Sequence, residues 1–275
     1  MESHIFANFT ESSTVFNILQ YNCDKIHNYY YSKYKFNNSN IFNDTFNDII
    51  INNNQELIMC ENFKFCTLKN DTCISDCLRS GKLYEKFLMA FIEQFIPKDK
   101  NILDIGANIG VWSIIYSNII NNDCKIYSFE PQKEIFDCLN NNVIINKCNN
   151  IVLYNIGLSN ENNIKYMNAS YDMQQNFGSF RIVDDNDINS KLLKIECKIG
   201  DELQYSNIGF IKIDVEGFEY KVLQGLEQTI LNNKPIIFIE IHQNDINNAP
   251  TMSKLYALGY RKVMKLTHCD YLFTY

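Results

Sequence analysis

From Asn101 onward, short apolar runs alternate with stretches in which apolar residues recur every three or four positions. NILDI, KIYSF, NIVLYNI, GFIKID and PIIFIEI have the length and continuity of strands buried on both faces. Between them, IGVWSIIYSNI, KEIFDCLNNNVIIN and the stretch after Gly217 carry helical spacing, and a further helix is expected near Thr251 to Leu258. Two late strands complete the set, the second being YLFTY at 271–275. Strands alternating with crossovers of this length predict a parallel sheet with helices on both faces, because a right-handed crossover is the common way to join parallel neighbours. Ile164 to Phe180 and Lys191 to Cys197 read as extra extended segments inserted before GFIKID, and there is no internal repeat.

The earlier part of the chain is less regular. Leu83 to Ile96 has helical spacing and ends before Pro97, where a helix stops readily. ENFKFCTL, Glu61 to Leu68, alternates like a strand and is followed by a turn at Lys69-Asn70-Asp71. Residues 1–58 are aromatic and Asn-rich, and give helical signals only near Val15 to Tyr31. The expected organisation is an N-terminal extension over 1–58 that serves as a lid, packing layer or assembly region, a strand and helix over 59–97 leading into the core, and an α/β core domain over 98–275.

A chain of 275 residues with 46% hydrophobic and 21% charged residues can bury a large core. The formal net charge of −7, with no long Lys/Arg cluster, argues against adhesion to duplex nucleic acid or anionic lipid, though not against a nucleotide in a pocket. No apolar run reaches membrane-spanning length, and the opening MESHIFANFTESS has neither the basic start nor the apolar middle of a secretory leader, so a cytoplasmic protein is expected. Ten cysteines invite a zinc or disulfide reading. The densest group, Cys60, Cys66, Cys73 and Cys77, lacks a C-x2-C pair, and scattered reduced thiols are expected instead.

The chemistry concentrates at predicted strand ends. In NILDIGANIGVW, Asp104 ends a buried strand, Gly106 permits a sharp turn and Gly110 permits close approach at the next helix. Asn108 stands where a dinucleotide enzyme has the glycine that admits a pyrophosphate, which leans away from NAD and toward a smaller charged ligand. Glu130 ends the next strand, where an acidic side chain accepts from both hydroxyls of a ribose, and adenosine binding follows. Trp112 and Tyr127 read as core. In IKIDVEG, Asp214 and Glu216 share a face if the extended conformation persists past Asp214, and in PIIFIEIH so do Glu240 and His242. Two chemistries fit this floor. Either His242 or Asp214 removes a proton as general base without a metal, or Asp214, Glu240 and His242 hold a divalent cation that acidifies an acceptor hydroxyl.

NILDIGANIGVWS, FEP, NIGLS, GFIKIDVEGFEYKVLQG and PIIFIEIH, in that order, resemble the FkbM family of S-adenosylmethionine-dependent methyltransferases from about Phe63 to Tyr275. The resemblance implies a Rossmann-like class I methyltransferase domain, with a seven-stranded, mostly parallel sheet and helices on both faces, beside the N-terminal extension. It also implies O-methylation, often of a sugar. Asp104, Gly106, Asn108 and Gly110 would then surround the methionine part of S-adenosyl-L-methionine and Glu130 the ribose, with Gln132 beside it. Gly157, Leu158 and Ser159 would border the adenine, and Asp214 and Glu216 would stand at the floor of the reaction site. Asn176, Gly178 and Ser179 match the family's glycine-serine turn loosely. The insert at 164–185 offers Tyr166, Tyr171, Asp172, Gln174, Gln175, Asn176 and Arg181 to a glycan or nucleotide-sugar acceptor, with Arg181 suited to a phosphate. Other readings are an RNA or small-hydroxyl methyltransferase, a nicotinamide oxidoreductase and a non-catalytic Rossmann-like assembly module. The expected partners are a small-molecule or glycan substrate and a second copy, met through the N-terminal region, rather than a membrane or duplex nucleic acid.

Overall fold

The structure, a computed structural model, describes residues 17–20, 49, 51–183, 192–242 and 245–275. Its strands in chain order are β1 (Asn17–Gln20), β2 (Gln55–Cys60) and β3 (Phe63–Leu68), then β4 (Asn101–Ile105), β5 (Ile126–Phe129), β6 (Ile151–Tyr154) and β7 (Gly157–Ser159). There follow β8 (Asn163–Met167), β9 (Ile182–Val183), β10 (Leu193–Ile199), β11 (Ile208–Ile213), β12 (Ile236–Glu240), β13 (Lys262–Lys265) and β14 (Asp270–Thr274). The helices are α1 (Ile74–Arg79), α2 (Lys86–Ile92), α3 (Val111–Ser117), α4 (Lys133–Ile145), α5 (Glu219–Gly225), α6 (Glu227–Asn233) and α7 (Asn248–Ala257).

The main sheet runs β1-β13-β14-β12-β11-β4-β5-β6. β14 is antiparallel to both neighbours and every other pairing is parallel. This is the expected Rossmann-like class I sheet of seven strands, with an eighth added at its edge. That eighth strand, β1, corrects the helical expectation around Val15 to Tyr31: Asn17–Gln20 is extended, because β13 leaves a free backbone edge and NILQ pairs with it in parallel. The rest of that helical expectation lies outside the described residues.

Alternation along the strands sends residues to two separate cores. Ile102, Phe210, Phe238 and Leu272 pack with α2, α3 and β3 on one face, while Leu103, Ile211, Ile237 and Phe273 pack with α5, α6 and α7 on the other. The predicted helix at Leu83 to Ile96 is shorter than its apolar spacing suggests. Glu85 takes a left-handed backbone just before α2, and a 3-10 turn at Glu93–Phe95 ends it.

Two smaller units complete the fold. The hairpin β2–β3, which crosses position 58, has a strand that the irregular sequence before Glu61 conceals. It is held to the core by asparagines of α4. The fully buried Asn142 donates to the carbonyls of Cys66 (2.9 Å) and Ile109 (2.8 Å), and Asn146 donates to Lys64 O at 2.7 Å while accepting from Lys64 N at 3.1 Å. These amides stand in for the strand that β3 lacks at that edge. The strand expected at NIVLYNI is β6, and the inserted extended segments join β7, just after it, in a second sheet in the order β7-β10-β8-β9. This sheet docks tightly on α5, where a side chain on Gly225 would place its Cβ 1.9 Å from Ser159 O.

Gly225→Ala is therefore expected to push α5 off β7 and lower stability by about 1–3 kcal/mol, the usual range for overpacking. A urea unfolding midpoint unchanged from wild type would show that the contact is not the close one described.

Candidate active site

The carboxyl ends of β4, β5, β11 and β12 open into one cavity of about 380 Å³, walled by the glycine turn after β4, the segment before α2, and the loop at 176–181. A second, apolar slot lined by Ile156, Gly157, Leu158, Phe180, Ile182 and Phe218 adjoins it, and the two share Gly106, Glu130, Gly178, Asp214 and Glu216.

The turn is built by contact with β11. Gly106 has φ +77°, and a Cβ there would fall 1.8 Å from the carbonyl oxygen of Asp214, so the chain after β4 passes directly against the end of β11. Asp214 N donates to Ile105 O at 3.0 Å across the same seam. Asn108 is left-handed as well, with φ +51°, and its N–H donates to one oxygen of Glu130 at 3.1 Å while Gln132 N donates to the other at 2.8 Å. Glu130 is almost fully buried, and burial raises its carboxyl to about 7 against the pull of these two N–H groups.

Beneath the turn lies a group absent from the sequence-derived set. Lys212, 4% exposed, sits one residue from the carboxyl end of β11 with its ammonium 3.3 Å from Asp214 and 3.7 Å from Asp104, donating to Gly106 O at 3.1 Å. It also lies 5.9 Å from the centre of the Trp112 ring. Burial works against its charge, but Asp214, Asp104 and Glu85 outweigh that cost and hold it protonated. Burial pushes the Asp104 carboxyl up, and the lysine opposes the shift. A lone cation inside the otherwise apolar GFIKID was the available signal.

On the acceptor side, Asp214, Glu216, Glu240 and His242 all reach the cavity, although not by the route the sequence suggests. β11 stops at Ile213 and Glu216 is left-handed, with φ +53°, so a turn rather than an extended strand brings Asp214 and Glu216 together. Burial and the nearby Asp214 charge raise Glu216 to about 7, against Arg181, and raise Glu240 to about 9. His242 Nε2 is 3.6 Å from Glu240 and 4.0 Å from Glu216. The suggested cation set of Asp214, Glu240 and His242 divides into two donor groups, each with atoms within 4.8 Å of one another: Asp214, Glu216 and Glu240, and separately Glu240, His242 and Cys269.

The remaining expected residues are distributed unevenly. Gln132, Gly157 and Leu158 line the apolar slot, whereas Asp104, Gly110 and Ser159 line neither space. Asp104 lies underneath, and Gly110 instead sits at the start of α3 against Leu139. Tyr171 lines neither space and donates to Gln132 of the apolar slot at 2.8 Å. Arg181, read as a phosphate contact, faces Glu216 at 3.8 Å and Asp245 at 3.5 Å. Trp112, read as core only, stacks on Phe238 at 4.9 Å and also forms a wall of the cavity, its ring N–H donating to Glu85 at 2.9 Å. Tyr84, Glu85 and Asp270 line the cavity too, and nothing in their local sequence singles them out.

Residues 104–271 match the family model of the Methyltransferase FkbM domain. Methyltransferase 1 of Beauveria bassiana is 24% identical over 150 residues, covering 48% of this chain and 60% of that protein. The solved structure of methyltransferase FkbM from Methylobacillus flagellatus superposes with a TM-score of 0.47 at 17% identity, covering 65% of this chain and 44% of that one. A precorrin-6y C5,15-methyltransferase from Geobacter metallireducens superposes with a TM-score of 0.43 at 12% identity, over 68% of this chain and 85% of its own. The chain thus spans less than two thirds of the length of the first two relatives.

Lys212→Met should leave Asp104 buried without its cation and cost roughly 3–5 kcal/mol. Adding Asp104→Asn should restore a large part of that loss. Additive losses in the double-mutant cycle, followed by chemical denaturation, would show that the two groups do not interact.

Proposed function

The chain belongs to the methyltransferase FkbM family, and from that premise we propose that it transfers a methyl group from S-adenosyl-L-methionine to a hydroxyl of a carbohydrate, either a glycan or a nucleotide-sugar. The observation that carries this reading is the clasped Glu130. Its two oxygens are oriented by Asn108 and Gln132 at the junction of a polar cavity and an apolar slot, where a ribose joins an adenine.

The residues fit such a cofactor in charge as well as shape. Glu85, Glu130, Asp214, Glu216, Glu240 and Asp270 line the main cavity, against Lys212 and Arg181 as its only Lys or Arg residues among those described. A sulfonium would be welcome there. When bound, the cofactor supplies a methyl carbon already activated by sulfur, the carbon–sulfur electron pair returning to sulfur as the carbon–oxygen bond forms.

What the chain contributes is position and a place for the proton. Asp214, fixed by Lys212 and by its own N–H to Ile105 O, faces the cavity from the strand next to the glycine turn and receives the acceptor's hydroxyl proton. Glu216, Glu240 and His242 accept from or donate to neighbouring hydroxyls, a pattern suited to a polyol. Alignment of the hydroxyl with the methyl carbon supplies much of the rate.

Calorimetric titration with S-adenosylhomocysteine, with NAD as control, should show binding of the first and not the second. Because ribose hydroxyls favour the ionised carboxylate, affinity should rise as pH rises through about 7 and level off above it, and Glu130→Gln should flatten that profile. Binding of NAD alone, or of neither compound, would sink the reading.

Asp214→Asn should reduce turnover by about 10²–10⁴-fold, the usual loss for a general base. The urea midpoint should move far less. Retained turnover in a folded variant would remove Asp214 from the reaction.

A further inference from the structure

We propose that Glu240, His242 and Cys269 form a binding site for a divalent transition metal of the zinc type, on the acceptor side of the cavity. The donors come from two paired strands. Glu240 ends β12 opposite Asp270 of β14, and Cys269 directly precedes β14. Ile241 N donates to Cys269 O at 2.7 Å, which fixes the two chain ends against each other before any ion arrives.

The distances suit an ion rather than a bridging water. Cys269 Sγ lies 3.1 Å from Glu240 Oε1, His242 Nε2 lies 3.6 Å from the same oxygen, and one donor atom from each residue lies within 4.8 Å of the other two. A tetrahedral zinc with ligands at roughly 2.0–2.3 Å holds its donors roughly 3.3–3.8 Å apart, so small rotations of these side chains would close the site. His268 Nε2 lies 3.5 Å from the same thiol but outside the three-donor group, so the fourth position is left to water or an acceptor oxygen.

Donor chemistry sets the metal. A thiol and an imidazole beside one carboxylate favour zinc, cobalt or nickel over magnesium, which takes an all-oxygen set. On binding, Cys269 exchanges its S–H bond, now directed at Glu240, for a sulfur–metal bond and releases the proton to solvent. The thiolate and the Glu240 carboxylate, which gives up its own proton where it holds one before binding, together balance the ion's two positive charges, so the occupied site is itself neutral beside Asp214 and Asp270.

The site's existence does not depend on methyl transfer. Its role does rest on that reading: an ion here would polarise an acceptor hydroxyl and leave Asp214, outside the donor set, to take the proton.

Cobalt(II) provides the probe, because thiolate ligation gives a near-ultraviolet charge-transfer band and four-coordination gives intense visible bands. Titration of the full chain should saturate at one ion per chain, with a burst of proton release. Cys269→Ser should abolish the charge-transfer band, and His242→Ala should weaken cobalt binding by on the order of tenfold or more. Circular dichroism and S-adenosylhomocysteine calorimetry on both variants separate loss of the metal site from loss of fold or of cofactor binding. A cobalt spectrum matching the six-coordinate aquo ion, or a charge-transfer band that survives Cys269→Ser, would overturn the site. Failure of S-adenosylhomocysteine to bind while cobalt binds would overturn the methyl-transfer reading and leave the metal site standing.

Discussion

A charged lysine enclosed in protein is tolerated only when anions surround it, and the site is organised by that requirement. Lys212 occupies a strand position whose neighbours on both sides are apolar and buried, so its ammonium cannot reach water along β11. It is answered from the strand beside it by Asp104 and from the turn just past its own strand by Asp214, and it takes the carbonyl of Gly106 as well. The lysine therefore joins the two strand ends between which the glycine turn is folded. Asp214 is held by the same ammonium, so one cation sets both the floor of the glycine turn and the carboxylate that faces the acceptor.

The cavity divides by polarity along the direction the strands set. Toward β5 and the second sheet, the walls are Ile156, Leu158, Ile182 and Phe218, and among the described residues the ionisable groups there are those at the shared boundary. Toward β12 and β14, carboxylates crowd together, and burial raises Glu216 to about 7, Glu240 to about 9 and Asp270 above its ordinary value. A ligand with one flat apolar end and one cationic end has a single favourable orientation in such a space. The second sheet and the loop at 176–181 close the apolar side, which explains why an insertion in a parallel α/β core forms part of the site.

Much of this could be read from the residues in advance. The main-sheet strands from β4 onward, the turn at Gly106, the pairing of Glu130 with that turn and the four groups at the ends of β11 and β12 all follow from period and spacing. What escaped depends on contacts between distant segments. Glu85 is polar in a polar context, and only the fold places it beneath Trp112. β2 is recognisable only through its pairing with β3, since QELIMC has no regular alternation of its own. Asn142 and Asn146, two members of a compositional excess that has no pattern of its own, satisfy backbone groups of a strand some eighty positions earlier. Glu216 was assigned to the right place by a geometry it does not adopt, since its left-handed backbone substitutes for two more residues of strand.

β1 bears on the order in which the molecule can be assembled. Residues 17–20 pair with residues 262–265, and the strand that receives them is itself paired with β14, the last in the chain. β1 and β13 are far apart in sequence, so their pairing is a long-range contact that forms only after the segments between them have been brought together. That edge of the main sheet is closed only when the β13–β14 pair is in place to receive β1, so docking of β1 reports on contacts made across a long sequence separation.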